Sequence, residues 1–100
     1  MSEIDWTSKA FVLLESLPLN IALGIFRQVE LLRQFPEMGS PLVYRFPNLK
    51  GRRQLIFKRK YRIIYEFDEI DNTAYILAIH NCRQRMPSPR ELKRDLPLDE

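Results

Sequence analysis

Cysteine and histidine are nearly absent from this chain: its 100 residues hold one of each, Cys82 and His80. A lone thiol forms no internal disulfide, in keeping with a reducing compartment. One Cys and one His cannot fill a four-ligand zinc site without recruiting carboxylates, so no metal is expected. No apolar run approaches the length of a membrane span, and the opening MSEIDWTSK does not read as a signal peptide. The expectation is a soluble cytoplasmic protein with no membrane partner. Hydrolase, kinase, phosphate-loop and dinucleotide patterns are missing, and no cofactor is implied. Nor is there a paired-carboxylate site, because Glu66 and Asp68 share their strand face with Arg62. No internal repeat or linker divides the chain, and residues 1–100 are expected to form a single domain.

Acid is also missing from a long stretch. No Asp or Glu lies between Met38 and Tyr65, whereas Arg45, Lys50, Arg52, Arg53, Lys58, Arg59, Lys60 and Arg62 all fall there. The net charge of +3 is mild, so the distribution matters more than the total. Such a block attracts polyanions or an acidic protein. It equally suits a solvated hairpin edge, where Lys and Arg guard against strand pairing. Both readings stay open at this stage.

What is present is a hydrophobic content of 45%, enough for a folded core. Residues 51–83 organise it. Runs rich in Ile, Leu, Phe and Tyr, bounded by polar turns, read as strands of an antiparallel meander. Alternation places Tyr61, Ile63, Tyr65 and Phe67 on one face and Arg62, Ile64, Glu66 and Asp68 on the other. Likewise Arg53, Leu55 and Phe57 oppose Gln54, Ile56 and Lys58. Lys58-Arg59-Lys60 lacks the glycine of the tightest turns and predicts a longer, mobile basic loop. Asp71-Asn72 makes the second turn, since both residues tolerate positive φ.

Upstream, Ile4-Asp5-Trp6 reads as a short edge strand. Thr7 or Ser8 caps a helix carrying Ala10, Leu13, Leu14 and Leu17 at helical spacing, stopped by Pro18. A second helix from Leu19 or Asn20 to about Phe35 carries Ala22, Ile25, Phe26, Val29 and Leu32, with Gly24 marking close approach of another backbone. Pro36, Gly39 and Pro41 mark an irregular connection, broken again at Pro47 and Asn48. Downstream of Arg83, Ser88-Pro89-Arg90-Glu91 carries a capping-box pattern and predicts a short helix to about Asp95, docked through Leu92 and Leu96 on a core that lies upstream. The fold class is therefore α+β: an N-terminal helical hairpin packed on a small antiparallel sheet in the order β-α-α-β-β-β, then a short C-terminal helix. Phe11, Val12, Leu23 and Leu31 cannot all face that sheet, which leaves apolar surface for a partner.

The candidate chemistry gathers at Arg62, His80 and Arg83. Guanidinium groups grip phosphate with fixed geometry, and imidazole moves a proton at neutral pH. Arg52, Arg53, Lys58, Arg59, Lys60 and Arg85 surround them as target-binding or nucleic-acid-binding residues. The alternative is a strand-end His80 with a local hydrogen bond and arginines paired to Glu66, Asp68 or Glu91.

The succession Trp6, two helices, Pro36-x-x-Gly39-x-Pro41, the basic strand Arg52 to Phe57, Tyr61-Arg62-Ile63-Ile64-Tyr65, then Ile76-Leu77-Ala78-Ile79-His80-x-x-Arg83 resembles the RelE/ParE superfamily of toxins, from about Ile4 to Arg83. The resemblance implies a type II toxin–antitoxin module, of the kind also called plasmid stabilisation proteins, with a cognate antitoxin that wraps the toxin in a hetero-oligomer. Two activities are implied. RelE-like members cut mRNA on the ribosome without a metal, and ParE-like members poison DNA gyrase. Arg62 and Arg83 resemble the arginines that the ribonucleases use on phosphate. Those enzymes often carry a tyrosine just beyond, where this chain has Gln84-Arg85-Met86-Pro87; the P-x-x-G-x-P segment and the H-x-x-R ending look slightly more ParE-like. A binding module that docks a partner through its basic hairpin, with no catalysis, is the competing reading.

Overall fold

The computed structural model describes residues 1–95. Strand β1 (Glu3–Trp6) leads into helix α1 (Ser8–Glu15) and helix α2 (Leu19–Glu30), which tightens into a 3₁₀ turn over Leu31–Arg33. Strands β2 (Ser40–Pro41), β3 (Arg52–Phe57), β4 (Tyr61–Asp68) and β5 (Thr73–Asn81) follow. The five strands form one sheet in the order β1-β5-β4-β3-β2. Its antiparallel part is the β2 to β5 meander, but β1 runs parallel to β5. The expected antiparallel sheet is thus mixed, because the helical hairpin returns the chain before the meander begins. The two-residue β2, paired through Ser40 and Pro41 with Gln54 and Arg53, is an addition to the expected order.

Thr7 explains how α1 starts. Its hydroxyl accepts from the Ala10 N–H at 3.2 Å and donates to the Ile76 carbonyl at 2.8 Å, so one buried side chain caps the helix and ties it to β5. The stripes expected on both helices pack on the sheet: Ala10, Leu14, Ile25, Val29 and Leu32 meet Leu55, Ile63, Tyr65, Ala74, Ile76 and Ile79. Phe26 lies at the edge, stacked on Trp6 with ring centroids 6.3 Å apart. At Gly24 a Cβ would lie 2.4 Å from the Phe57 ring, so the close neighbour there is a side chain rather than a backbone. Gly39 is held tighter. A Cβ there would come within 2.8 Å of Tyr65 and of the Gln54 carbonyl, and its N–H donates to the buried Tyr65 hydroxyl, which in turn donates to the Pro36 carbonyl.

The second face of the sheet is covered too. Leu42 and Leu49 from the irregular connection and Leu92 from the C-terminal segment pack over Ile64, Tyr75, Leu77 and Ala78. This explains why β5 is buried along Thr73–Ile79, as strands with both faces covered are. The segment after Arg83 is therefore part of the packed body, contrary to the expectation of a core confined upstream. Instead of a helix to Asp95 it forms a single 3₁₀ turn, Pro89–Glu91, with the expected Ser88–Glu91 capping box. Beyond it Arg94 bridges Glu66 at 3.0 Å and Asp68 at 3.2 Å and lies over the Tyr75 ring. Leu96, the other expected anchor, lies outside the described residues.

Both hairpin turns are tight. The first was expected to be long and mobile, yet Phe57 pairs with Tyr61, the Lys60 N–H donates to the Phe57 carbonyl at 3.0 Å, and Lys58 and Arg59 sit at φ 52° and 57°. This is the double left-handed turn that matches strand twist, made here without glycine. In the second, Asn72 takes φ 54° as expected of an Asn, while the Asp68 carboxylate accepts from the N–H groups of Ile70 and Asp71.

Candidate functional site at the basic end of the sheet

The basic turn, the start of β4 and the end of β5 meet at one end of the sheet. Arg62 and His80 are direct cross-strand partners there, on the face away from the helices. His80 reaches that face through a bulge. Register along β4–β5 runs Ile64 to Ala78 but Tyr65 to Ile76, which leaves Leu77 as an extra residue on β5. Strict alternation from Ala74 and Ile76 would turn His80 toward the helices, and the bulge reverses it. Bulges commonly re-aim side chains in this way. Sequence periodicity cannot reveal it, because every residue from Ala74 to Ile79 is apolar.

Arg62 is half-buried, and its Nε donates to Gln54 Oε1 at 2.8 Å. Gln54 was placed by alternation on the Lys58 face without a role; register puts it within reach of Arg62. His80 has a buried Nδ1 without a hydrogen-bond partner among the described residues. Burial first, then the charges of Lys9 and Arg62, hold its pKa below the usual 6.5, with Glu91 opposing them. The imidazole is accordingly neutral at pH 7. It lines a recess of about 300 Å³ with Gln84, Arg85, Pro87 and Glu91. Lys9 and Glu91 come from distant elements, and nothing in their local sequence marks them as its neighbours. Glu66 and Asp68, the suggested partners for site arginines, are bound by Arg94 instead.

Arg83 lies elsewhere at this end. It lines a separate recess of about 580 Å³ with Arg59, Lys60, Asn81 and Cys82, and the two recesses share no lining residue. The surrounding cations divide by role. Arg53 holds the irregular connection, its guanidinium donating to the carbonyls of Gly39 at 2.7 Å and Glu37 at 3.1 Å. Arg52 donates to the Lys50 carbonyl, and its buried Nε finds no partner among the described residues. Lys58, Arg59, Lys60 and Arg85 are exposed. Among the described residues no group of three His, Cys, Asp or Glu side chains gathers in a way that would hold a metal ion. No helix among them is long and apolar enough to cross a membrane.

Known structures share this architecture. The toxin–antitoxin complex RelBE2 of Mycobacterium tuberculosis contains a chain 24% identical, with a TM-score of 0.67 over 80% of this chain and 96% of that one. The isolated RelE toxin of E. coli matches at 9% identity and a TM-score of 0.69 over 85% and 88%. A chain of the intact E. coli RelBE toxin–antitoxin complex matches at 10% and 0.66 over 84% and 100%. At such identities these likenesses establish the fold alone. No curated relative matches the chain. The family described as ParE toxin of type II toxin–antitoxin system, parDE, matches residues 4–86, which span both helices, the sheet but for Glu3, and the recess at Arg83, and the chain therefore belongs to that family, within the RelE/ParE superfamily of toxins.

Proposed function

We propose that this toxin arrests growth by gripping DNA gyrase through the basic end of its sheet, in the cytoplasm, and that a cognate antitoxin neutralises it. The observation that carries the reading is the separation of the candidate groups. Cleavage of a phosphodiester asks for a base, an acid and cationic clamps around one phosphate, within hydrogen-bond reach of the reacting atoms. Here Arg62 is engaged by Gln54, His80 lines one recess and Arg83 another. A distributed cationic surface suits holding a large target better than cutting a bond. The toxin–antitoxin complexes among the structural likenesses support the antitoxin partner.

One observation favours the second reading, ribosome-dependent mRNA cleavage. His80 is kept neutral beside Arg62, as a general base requires. Three variants separate the two, with circular dichroism as the folding control. An Arg62→Ala, Arg83→Ala double variant should lose growth arrest under either reading. Arg62→Lys should restore little, since a point charge cannot replace a planar fork bonded to Gln54. His80→Gln should keep growth arrest and inhibition of gyrase supercoiling. Loss of toxicity in His80→Gln, together with ribosome-bound mRNA cleavage by the parent, would replace gyrase by mRNA. Full toxicity of the folded double variant would remove this end of the sheet from the function.

A further inference from the structure

Arg62 is held differently from the bridged arginines of this chain. Arg33 lies against Glu30 and Glu3, Arg53 against Glu37, and Arg94 against Glu66 and Asp68. Arg62 instead donates its Nε to a neutral amide, Gln54 Oε1, at 2.8 Å, and among the described residues no carboxylate lies within salt-bridge distance of it. Its cross-strand partners are Ile56 on β3 and His80 on β5, so register brings it no acid either. Gln54 is its diagonal neighbour, directly opposite Ile64 and on the same face as Arg62. That neighbour is firmly placed. Gln54 pairs with Ile64 on one side and with Ser40 of β2 on the other, and its carbonyl packs so closely that a Cβ on Gly39 would lie 2.8 Å from it. A half-buried guanidinium that needed only a partner would be better served by a carboxylate, because a charge-assisted bond is shorter and about twice as strong. An amide fixes the orientation and leaves the charge whole. With Nε taken, the two terminal nitrogens of Arg62 have no partner among the described residues, and neither is enclosed.

We infer that Gln54 is a positioning residue, which sets the Arg62 guanidinium end-on toward the target while leaving its charge undiminished. This rests on the reading above that Arg62 belongs to the surface that grips the target. A guanidinium bound through Nε presents its two terminal nitrogens as a fixed pair of donors. Released from Gln54, the same side chain would sample several rotamers over the exposed Ile56, and ordering it again on each encounter would weaken binding. A carboxylate at position 54 would hold the fork equally well and cancel its charge. The neutral amide meets both needs, and two substitutions separate them. Gln54→Leu removes the hold and keeps the charge. Gln54→Glu keeps the hold and cancels the charge.

The test compares Gln54→Leu, Gln54→Glu and Arg62→Ala, and Gln54→Leu combined with Arg62→Ala, in growth arrest, gyrase supercoiling and thermal melts. Gln54→Glu should melt at or above the parent, because an ion pair replaces a neutral bond, yet it should inhibit gyrase roughly tenfold less well. An amide that served only to satisfy Arg62 would leave Gln54→Glu as toxic as the parent. Gln54→Leu, close in volume, should fold and lose activity by a similar factor. Added to Arg62→Ala it should cost nothing further, since Gln54 acts through Arg62. NMR of the guanidinium reads the hold without any target. The Arg62 Nε–H, identified by its loss in Arg62→Lys, should be protected from exchange in the parent and in Gln54→Glu, and exchange fast in Gln54→Leu. Parent-level toxicity of folded Gln54→Glu, a further loss in the double variant, or an Nε–H that ignores Gln54→Leu would overturn the inference. If Gln54→Leu fails to fold, Gln54→Glu alone decides, by its toxicity and its Nε–H. Growth arrest that follows Gln54 in a toxin that leaves gyrase supercoiling untouched would keep this inference and remove gyrase. Equal inhibition of gyrase by the parent and Gln54→Glu would keep gyrase and remove the inference.

Discussion

His80 is reached by burial and by charges of both signs, and their balance sets when it takes a proton. Burial, Lys9 and Arg62 lower its pKa below 6.5, and Glu91 opposes them. The unfolded chain therefore binds this proton first as pH falls. The stability that neutral His80 contributes is fully present above about pH 6.5 and is lost as pH drops through the folded value. Asp68 and Glu91 are also held low, each chiefly by a backbone hydrogen bond, so their contributions are lost at lower pH, beneath their usual 3.8 and 4.5. Urea unfolding across pH should show the parent losing stability as pH falls below about 6.5 where His80→Gln stays flatter, both then falling together as the carboxylates take protons. Coincident profiles throughout would mean that His80 is not held neutral by its surroundings. At this scale the sequence is only half legible. Arg62 opposite a purely apolar face is visible by alternation. The His80 orientation is not, because it depends on the Leu77 bulge inside an unbroken apolar run. Nor is the left-handed backbone at Lys58 and Arg59, since Lys and Arg carry no preference for it. Each such residue costs on the order of 1 kcal/mol or more.

The C-terminal segment is where elements and sequence diverge most. Its prolines and charges mark a tail, yet Leu92 is 1% exposed against Ile64, Leu77 and Tyr75, while Arg94 closes the segment down on Glu66 and Asp68. Long-range packing of this kind leaves no periodic trace, because one leucine carries most of it. The helices and β3 to β5 are legible for the opposite reason: many residues repeat at one period. The two-residue β2 has no period to detect, and the parallel sense of β1 follows from the path of the helical hairpin rather than from Glu3–Trp6. Ending the chain at Pro87 should expose the second face of the sheet. The loss should be roughly 2–5 kcal/mol, the cost of removing a buried leucine. A domain this size moves by roughly 4–8 °C per kcal/mol, so the melting temperature should fall by at least about 8 °C. Leu92→Ala alone should reproduce most of that fall. A truncated chain that melts with the parent would show that the segment merely lies on the surface.

On the scale of the whole molecule, charge and apolar surface occupy different places. Among the described residues, Lys58, Arg59 and Lys60 gather without a carboxylate partner at the turn that joins β3 to β4. The opposite end of β4 and β5 carries Asp68, Glu69 and Asp71. The helices present Phe11 at 43% exposure, Val12 at 61%, Leu19 at 74% and Leu23 at 43%, beside the Trp6–Phe26 stack. These side chains cannot enter the core, because Ala10, Leu14, Ile25 and Val29 already fill the sheet-facing sides of α1 and α2. Exposed apolar side chains of this kind on the helices suit an amphipathic partner segment. The antitoxin proposed above fits that description, and a partner that binds only the folded state stabilises it by mass action. At a free concentration of 100 times Kd the gain is about 2.7 kcal/mol, or a melting temperature higher by roughly 10–20 °C. The isolated chain should self-associate through the same surface. Leu23→Lys changes an exposed position, so it should fold as the parent does. It should also suppress self-association and shrink the partner-induced rise. Thermal melts with and without the partner, paired with sedimentation of the isolated chain, read all of these. A monodisperse parent whose melting temperature ignores the partner would show that the helical face is not where this toxin is held.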